Sequence, residues 1–277
     1  MTYAGPVAVP GRGEQSRILS LWMLAPAGAN VVMQLARPEV ARGVLDSPVP
    51  EGSLRERPWK RTRTTLTYVG LAAFGTDDER RALRRAVSHQ HVRVRAEQPV
   101  AYSAFDPELQ LWVGACMYVG LRDGYRALYG PVDEGTEERL YQVAQRFATT
   151  LQVGPKEWPP TRVAMEEYWT SMTPHLSFDE DARRFCDDLV HLRFWPSPVS
   201  RLVGDLHARW SVGYLDPQIR AILGWRWTQD DAAWFERAQR RARRVASAVP
   251  AVMWSLPLRA LVAHGRWRIR RGQLFTD

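Results

Sequence analysis

His91 is the residue of this chain whose placement could do chemistry. It lies in Ser88-His89-Gln90-His91-Val92-Arg93-Val94-Arg95, at the end of a stretch whose pattern predicts an amphipathic helix. Thr76 can cap that helix, and Glu79 three residues later completes a capping box. Leu83, Ala86, Val87, His91 and Val94 then recur at helical spacing, so one apolar face carries the imidazole. His89 points to another side, among Arg81, Arg85 and Arg93. A lone imidazole directed into an apolar interior can serve as the axial ligand of a haem iron. A hydrogen-bonded core histidine has the same pattern. The segment alone leaves both readings open.

A second constellation lies upstream, in the helical stretch from Trp59 to Val69, where Arg61, Thr65 and Tyr68 share one face. The fork of a guanidinium donates two parallel hydrogen bonds to a carboxylate or propionate, and a threonine hydroxyl beside it could meet bound dioxygen. The alternative is an ordinary salt bridge to a neighbouring helix and a threonine bonded back to its own turn.

The elements that must position these groups are helices. Asp106-Pro107-Glu108 starts one, with Asp as cap and Pro at the first helical position, and Leu109, Trp112, Val113, Cys116 and Val119 as its inward face. Leu140, Val143, Ala144, Phe147 and Leu151 mark another, stopped by Gly154-Pro155. Met165-Trp169-Met172, Ala182-Phe185-Leu189 and Leu202-Leu206-Trp210 suggest three more, Asp216-Pro217 starts a short one, and 230–249 is long and Arg-rich, ending at Pro250. Val92 to Arg95 is the one hint of strand alternation. The expected class is all-α, in a single domain over residues 1–277, because only short Pro-rich joints interrupt the chain.

The 277 residues are 45% apolar and 25% charged, enough for a large core. The net charge of +8 is almost wholly arginine, since lysine occurs only at Lys60 and Lys156. Codon bias accounts for that without a partner, and no aromatic-interleaved motif points to specific nucleic-acid binding. A basic surface still favours peripheral contact with anionic membranes. Cys116 and Cys186 form neither a disulfide framework nor a zinc site and read as reduced core thiols. Residues 1–13 lack the pattern of a secretory signal, and Pro26, Gly28 and Asn30 interrupt the apolar run 18–36, so a cytoplasmic protein is expected.

Phosphate-cradling glycine loops, paired-His zinc helices, nucleophile elbows and haem-attachment cysteine pairs are all missing. A di-iron bundle needs Glu-x-x-His pairs on two helices, and none of the six histidines has that spacing.

Taken in order, these residues resemble the haem-dependent oxygenase family of latex clearing protein (a rubber oxygenase) and MpaB, over about residues 22–270. Gln34-Leu35-Ala36-Arg37-Pro38-Glu39-Val40-Ala41-Arg42-Gly43-Val44 is similar to its "Q-L-x-H-P-x-V-A-x-G-V" segment. Arg61 and Thr65, then Phe74-Gly75, match "R-x-x-x-T … F-G", and His91-Val92-Arg93-Val94-Arg95 is similar to "H-x-x-V-x-G". Tyr102 to Leu109 with Trp112-Val113 matches "Y-x-A-x-D-P-x-L … W-V", and Leu215-Asp216-Pro217, Gly224-Trp225 and Leu256-Pro257-Leu258-Arg259 extend the order.

The resemblance implies an all-helical fold with a globin-like core holding haem b, and His91 as proximal iron ligand. It implies that Arg61 and Thr65 line the haem pocket as cofactor-binding and catalytic residues. It implies dioxygen-dependent oxidation of a hydrophobic, alkene-containing small molecule. The sequence departs from the family at Arg37 (for "H-P"), Asp46-Ser47 (for "H-S"), Gly114 (for "W-V-H-A") and Ala96 (for the Gly after "V-x"). Three family histidines are thus replaced while His91 remains, which puts the reaction and substrate in doubt and leaves Asp46 as a speculative acid or base. Two other readings stay open: a haem or hydrophobic-ligand binder on the same fold without turnover, and a basic helical protein bound through its Arg clusters to anionic membrane surfaces or nucleic acid.

Overall fold

The computed structural model describes residues 10–49, 53–98 and 100–275. Residues 1–9, most of the stretch read as lacking a secretory signal, lie outside the described residues. In chain order the helices are α1 (Arg12–Ile18), α2 (Ala27–Gln34), α3 (Pro38–Leu45), α4 (Pro58–Phe74) and α5 (Asp77–His91). A two-residue hairpin, β1 (Arg95–Ala96) and β2 (Tyr102–Ser103), precedes α6 (Pro107–Tyr129), α7 (Glu134–Thr150), α8 (Arg162–Met172) and α9 (Glu180–Val190). The chain finishes with α10 (Ser197–Tyr214), α11 (Pro217–Leu223), α12 (Gln229–Ser247) and α13 (Ala251–Arg270). The expected all-α class is observed, and the hairpin, with Arg95 opposite Ser103, is the one sheet among the described residues.

Local chemistry sets the helix starts. The capping box of α5 is formed in both directions, Glu79 N–H to Thr76 Oγ1 at 3.2 Å and Thr76 N–H to Glu79 Oε2 at 2.9 Å. Asp106 accepts from the Glu108 amide at 2.8 Å and Asp216 from the Gln218 amide at 2.8 Å, each ahead of a proline at the first helical position. A further capping box, Thr228 with Asp231, opens α12. α7 ends at Thr150, before the Gly154-Pro155 stop, because Leu151 leaves helical geometry with ψ of −128°.

Helix α6 lies between two apolar clusters. On one side Ala115, Tyr118, Leu121 and Tyr125 join Tyr68 and Leu71 of α4, Leu83 of α5, and Leu140 and Phe147 of α7. On the other, Trp112 and Cys116 join Val32 and Met33 of α2, Phe185 and Leu189 of α9, and Ile219 of α11. Small residues set the close approaches: a Cβ at Gly114 would stand 2.8 Å from Ala148 Cβ of α7. Trp112 donates its indole N–H to the carbonyls at the end of α2, Met33 and Gln34, both at 3.2 Å. Both cysteines are buried, free thiols.

The helix expected from Leu202, Leu206 and Trp210 is observed as α10, and its packing side is not built from those leucines. Leu202 and Leu206 of α10 are 84% and 57% exposed, and the buried side of that helix is Gly204, Ala208, Ser211 and, at its end, Tyr214. A Cβ on Gly28 of α2 would meet Ser211 Oγ at 2.5 Å, so only small residues fit where α10 meets α2.

Candidate functional site

α5 delivers His91 as its last residue, half-buried, while His89 stays exposed. Neither ring nitrogen of His91 has a hydrogen-bond partner among the described residues, and Nδ1 is buried. Burial, and secondarily the positive charge of Arg61, push the pKa of His91 down to about 4, so the imidazole is neutral at pH 7. Other histidines are satisfied: Nδ1 of His207 bonds the Val190 carbonyl at 2.6 Å and Nδ1 of His191 bonds that of Asp187 at 2.8 Å.

Arg61 stands one turn into α4. Water reaches its side chain, yet surrounding protein lowers its pKa by desolvation. Its guanidinium has no carboxylate partner among the described residues, and it stays protonated at physiological pH. Thr65, on the same face one turn later, is also exposed. Tyr68, one turn further, is buried and donates to the Phe147 carbonyl at 2.6 Å, and burial raises its pKa. The shared face of Arg61, Thr65 and Tyr68 therefore runs from the exposed start of α4 into the core. The structure brings Arg61 within electrostatic reach of His91 and sets Thr65 beside Arg61.

A polar chain missed by the sequence reading fixes the last turn of α5. Gln152 Nε2 donates to Ser88 Oγ at 2.6 Å, the Gln152 amide donates to Gln110 Oε1 at 2.5 Å, and Gln110 Nε2 bonds both Gln152 Oε1 and the Ala104 carbonyl. Gln110 is 5% exposed. A polar residue at an inward position of α6 was the available signal, but its partners sit on distant segments. The hairpin after His91 is in turn held against α3, because Gly43 faces Tyr102 and Val94, and Arg93 donates to the Pro48 carbonyl at 3.2 Å.

The departures from the resembled motifs have structural roles. Arg37 is buried and pairs with Glu39 at 3.1 Å and Glu108 at 3.0 Å, tying the start of α3 to that of α6. Asp46 ends α3, 3.7 Å from Arg42, and its charge adds to the burial that raises the pKa of Tyr102. Gly114 is packed against α7, with no space for an imidazole.

Among the described residues no three His, Cys, Asp or Glu side chains converge as a metal site would need. A metal held by His91 must therefore bring its other donors with it. A cleft of about 650 Å³ lies elsewhere, between α6, α8, α10 and α12, lined by Tyr118, Arg122, Glu166, Trp169 and Phe235. Its Arg122 is already paired with Asp123 at 2.9 Å, and Arg243 with the Ala127 carbonyl at 2.9 Å.

The catalytic-domain family described as ER-bound oxygenase mpaB/B'/Rubber oxygenase matches residues 17–247. The chain belongs to that oxygenase family. His91, Arg61 and Thr65 fall inside the matched region, and α13 lies beyond it. The chain is also similar to the uncharacterized protein Mb2261 of Mycobacterium bovis, 40% identical over 253 residues that cover 91% of this chain and 99% of the relative. The uncharacterized protein Rv2237 of Mycobacterium tuberculosis gives the same identity and coverage. No solved structure matches the chain.

Proposed function

We propose that this member of the oxygenase family binds haem b in a globin-like core and uses dioxygen to oxidise a hydrophobic, alkene-containing small molecule. The observation that carries the reading is a neutral imidazole and a cationic guanidinium within electrostatic reach of each other, neither with a side-chain partner among the described residues. A neutral imidazole has a lone pair for iron, and with Nδ1 buried, Nε2 is the nitrogen left to bind it. The Arg61 fork suits a propionate, whose negative charge would supply its missing counterion. Thr65 would orient a polar group at the same wall through its hydroxyl. Bound haem would supply the iron that activates dioxygen. Surrounding protein keeps His91 deprotonated by desolvation, and the Arg61 charge opposes any proton on it.

A second reading, ligand binding without turnover, rests on Arg37 and Gly114. Two of the three positions that hold histidines in the resembled motifs are occupied here by an ion pair and a close helix contact.

The test is the visible spectrum of the protein purified from haem-supplied cells, beside His91→Ala and Arg61→Ala. A Soret band that disappears or shifts in His91→Ala, and weaker haem retention in Arg61→Ala, is the expected result. No band after haem addition removes the haem reading. A band without oxygen consumption on any alkene substrate favours binding without turnover.

A further inference from the structure

Residues 245–258 carry no charge. They form the elbow where α12 turns through Pro250 into α13, the two axes meeting at 88°. Apolar side chains project from the outside of this elbow: Val245 is 51%, Val252 48%, Met253 54% and Leu256 50% exposed. Single exposed apolar residues are ordinary, but a cluster on a convex tip is not. The tip is also braced from behind. Trp254 packs edge-on to Trp22, ring centres 5.5 Å apart, and donates its indole N–H to the Ala246 carbonyl at 3.2 Å. Leu21, next to Trp22, is exposed as well.

Arginines border the neutral tip. Arg237, Arg241 and Arg244 recur at i, i+4 and i+7 on the exposed side of α12, none with an ion-pair partner among the described residues, and the stripe runs directly into Val245. Seven residues of helix span about 10 Å, near the range over which charge acts in physiological salt. From residue 232 to 275 the chain has ten arginines and a single acidic residue, Glu236.

We propose that the α12–α13 elbow docks on the surface of an anionic lipid bilayer. Val252, Met253 and Leu256 enter the boundary between headgroups and acyl chains, and Arg237, Arg241 and Arg244 lie among the headgroups. A bilayer surface satisfies both features together. Nucleic acid would pair with the arginines but leave the apolar tip in water. A second copy meeting the elbow about a two-fold axis would set the arginine stripe against itself. No single described helix is long and apolar enough to cross a membrane, and α12 with α13 reaches that length and hydropathy only as a pair bent through 88°, so contact at the interface is the geometry proposed.

The experiment is co-sedimentation of the full chain with phosphatidylcholine vesicles, with and without phosphatidylglycerol, across a salt series. The wild type should partition at least about tenfold more strongly onto the anionic vesicles, and less as salt rises. Met253→Glu with Leu256→Glu should lose most of that binding while far-ultraviolet circular dichroism stays unchanged. Arg241→Glu with Arg244→Glu should remove the preference for anionic lipid. Equal binding to neutral vesicles, no effect of either double variant, or absent wild-type binding at low salt overturns the proposal. So does a wild-type dimer in size-exclusion chromatography that Met253→Glu with Leu256→Glu dissociates, because a second copy then covers the elbow. None of these readouts depends on haem.

Discussion

Gln152 donates its side-chain amide to the Ser88 hydroxyl at 2.6 Å, one turn ahead of His91. The two residues lie on different helices or segments, and Gln110 on α6 completes the link to the hairpin that follows His91. Substituting Gln152 by Ala leaves the buried Gln110 amide short of a partner. The expected cost is about 1–3 kcal/mol. Urea denaturation checks it, and a midpoint equal to wild type would show that the chain adds nothing.

In the haem-free protein, His91 makes stability depend on acidity. Its pKa is about 4 in the fold against an ordinary 6.5, so between those values the unfolded chain binds the extra proton. The contribution is complete above pH 6.5 and is lost as the pH falls toward 4. Its size is up to about 3 kcal/mol. His91→Phe should flatten the decline of unfolding free energy across that window. An equally steep decline in the variant would assign the acid sensitivity to other groups.

Gly114 is required by the crossing of α6 and α7. A methyl group there would meet Ala148 Cβ at 2.8 Å and the Trp158 ring at 3.2 Å. Gly114→Ala should therefore destabilise by about 1–3 kcal/mol through overpacking, despite the better helix propensity of alanine. Restoring the resembled motif with Gly114→His should cost more. Thermal melts of the two variants give the order, and a Gly114→His protein as stable as wild type would mean the helices can part there.

Leu192 closes α9 in the left-handed region, with φ of 56°. The Arg193 amide bonds the Asp188 carbonyl at 2.8 Å around it, a geometry in which glycine is the usual residue. A non-glycine residue pays roughly 1–2 kcal/mol in this conformation. Leu192→Gly should keep or raise the melting temperature, whereas branched Leu192→Val should lower it. The reverse order would show that the Leu192 side chain contributes more by packing than its backbone costs.

What could be read from sequence was local. Thr76, Asp106 and Asp216 cap their helices through amides two or three residues away, so composition at those positions is informative. The inward placement of His91 followed from a period of 3.6 shared with Leu83, Ala86 and Val87. Gln110 and Gln152 were invisible because their bonds join residues 42 and 64 positions apart. The helix marked by Leu202 and Leu206 was legible, but its packing side was not. The interior side of α10 is built from Gly204, Ala208 and Ser211 ahead of Tyr214, and close helix approach selects small residues that hydropathy does not mark. For Arg61 and Thr65 the shared face was legible; that surrounding protein would lower the Arg61 pKa was not, since desolvation depends on the whole assembly of helices.

Because α6 contributes side chains to both apolar clusters, neither can open alone without stripping one flank of the same helix. The backbone amides near Trp112, Ala115 and Cys116 should then exchange with deuterium only through global unfolding, more slowly than those at the tip of α13. Coupling of this kind makes the central helix the common hinge of cooperativity, so damage to either half is felt as loss of the whole.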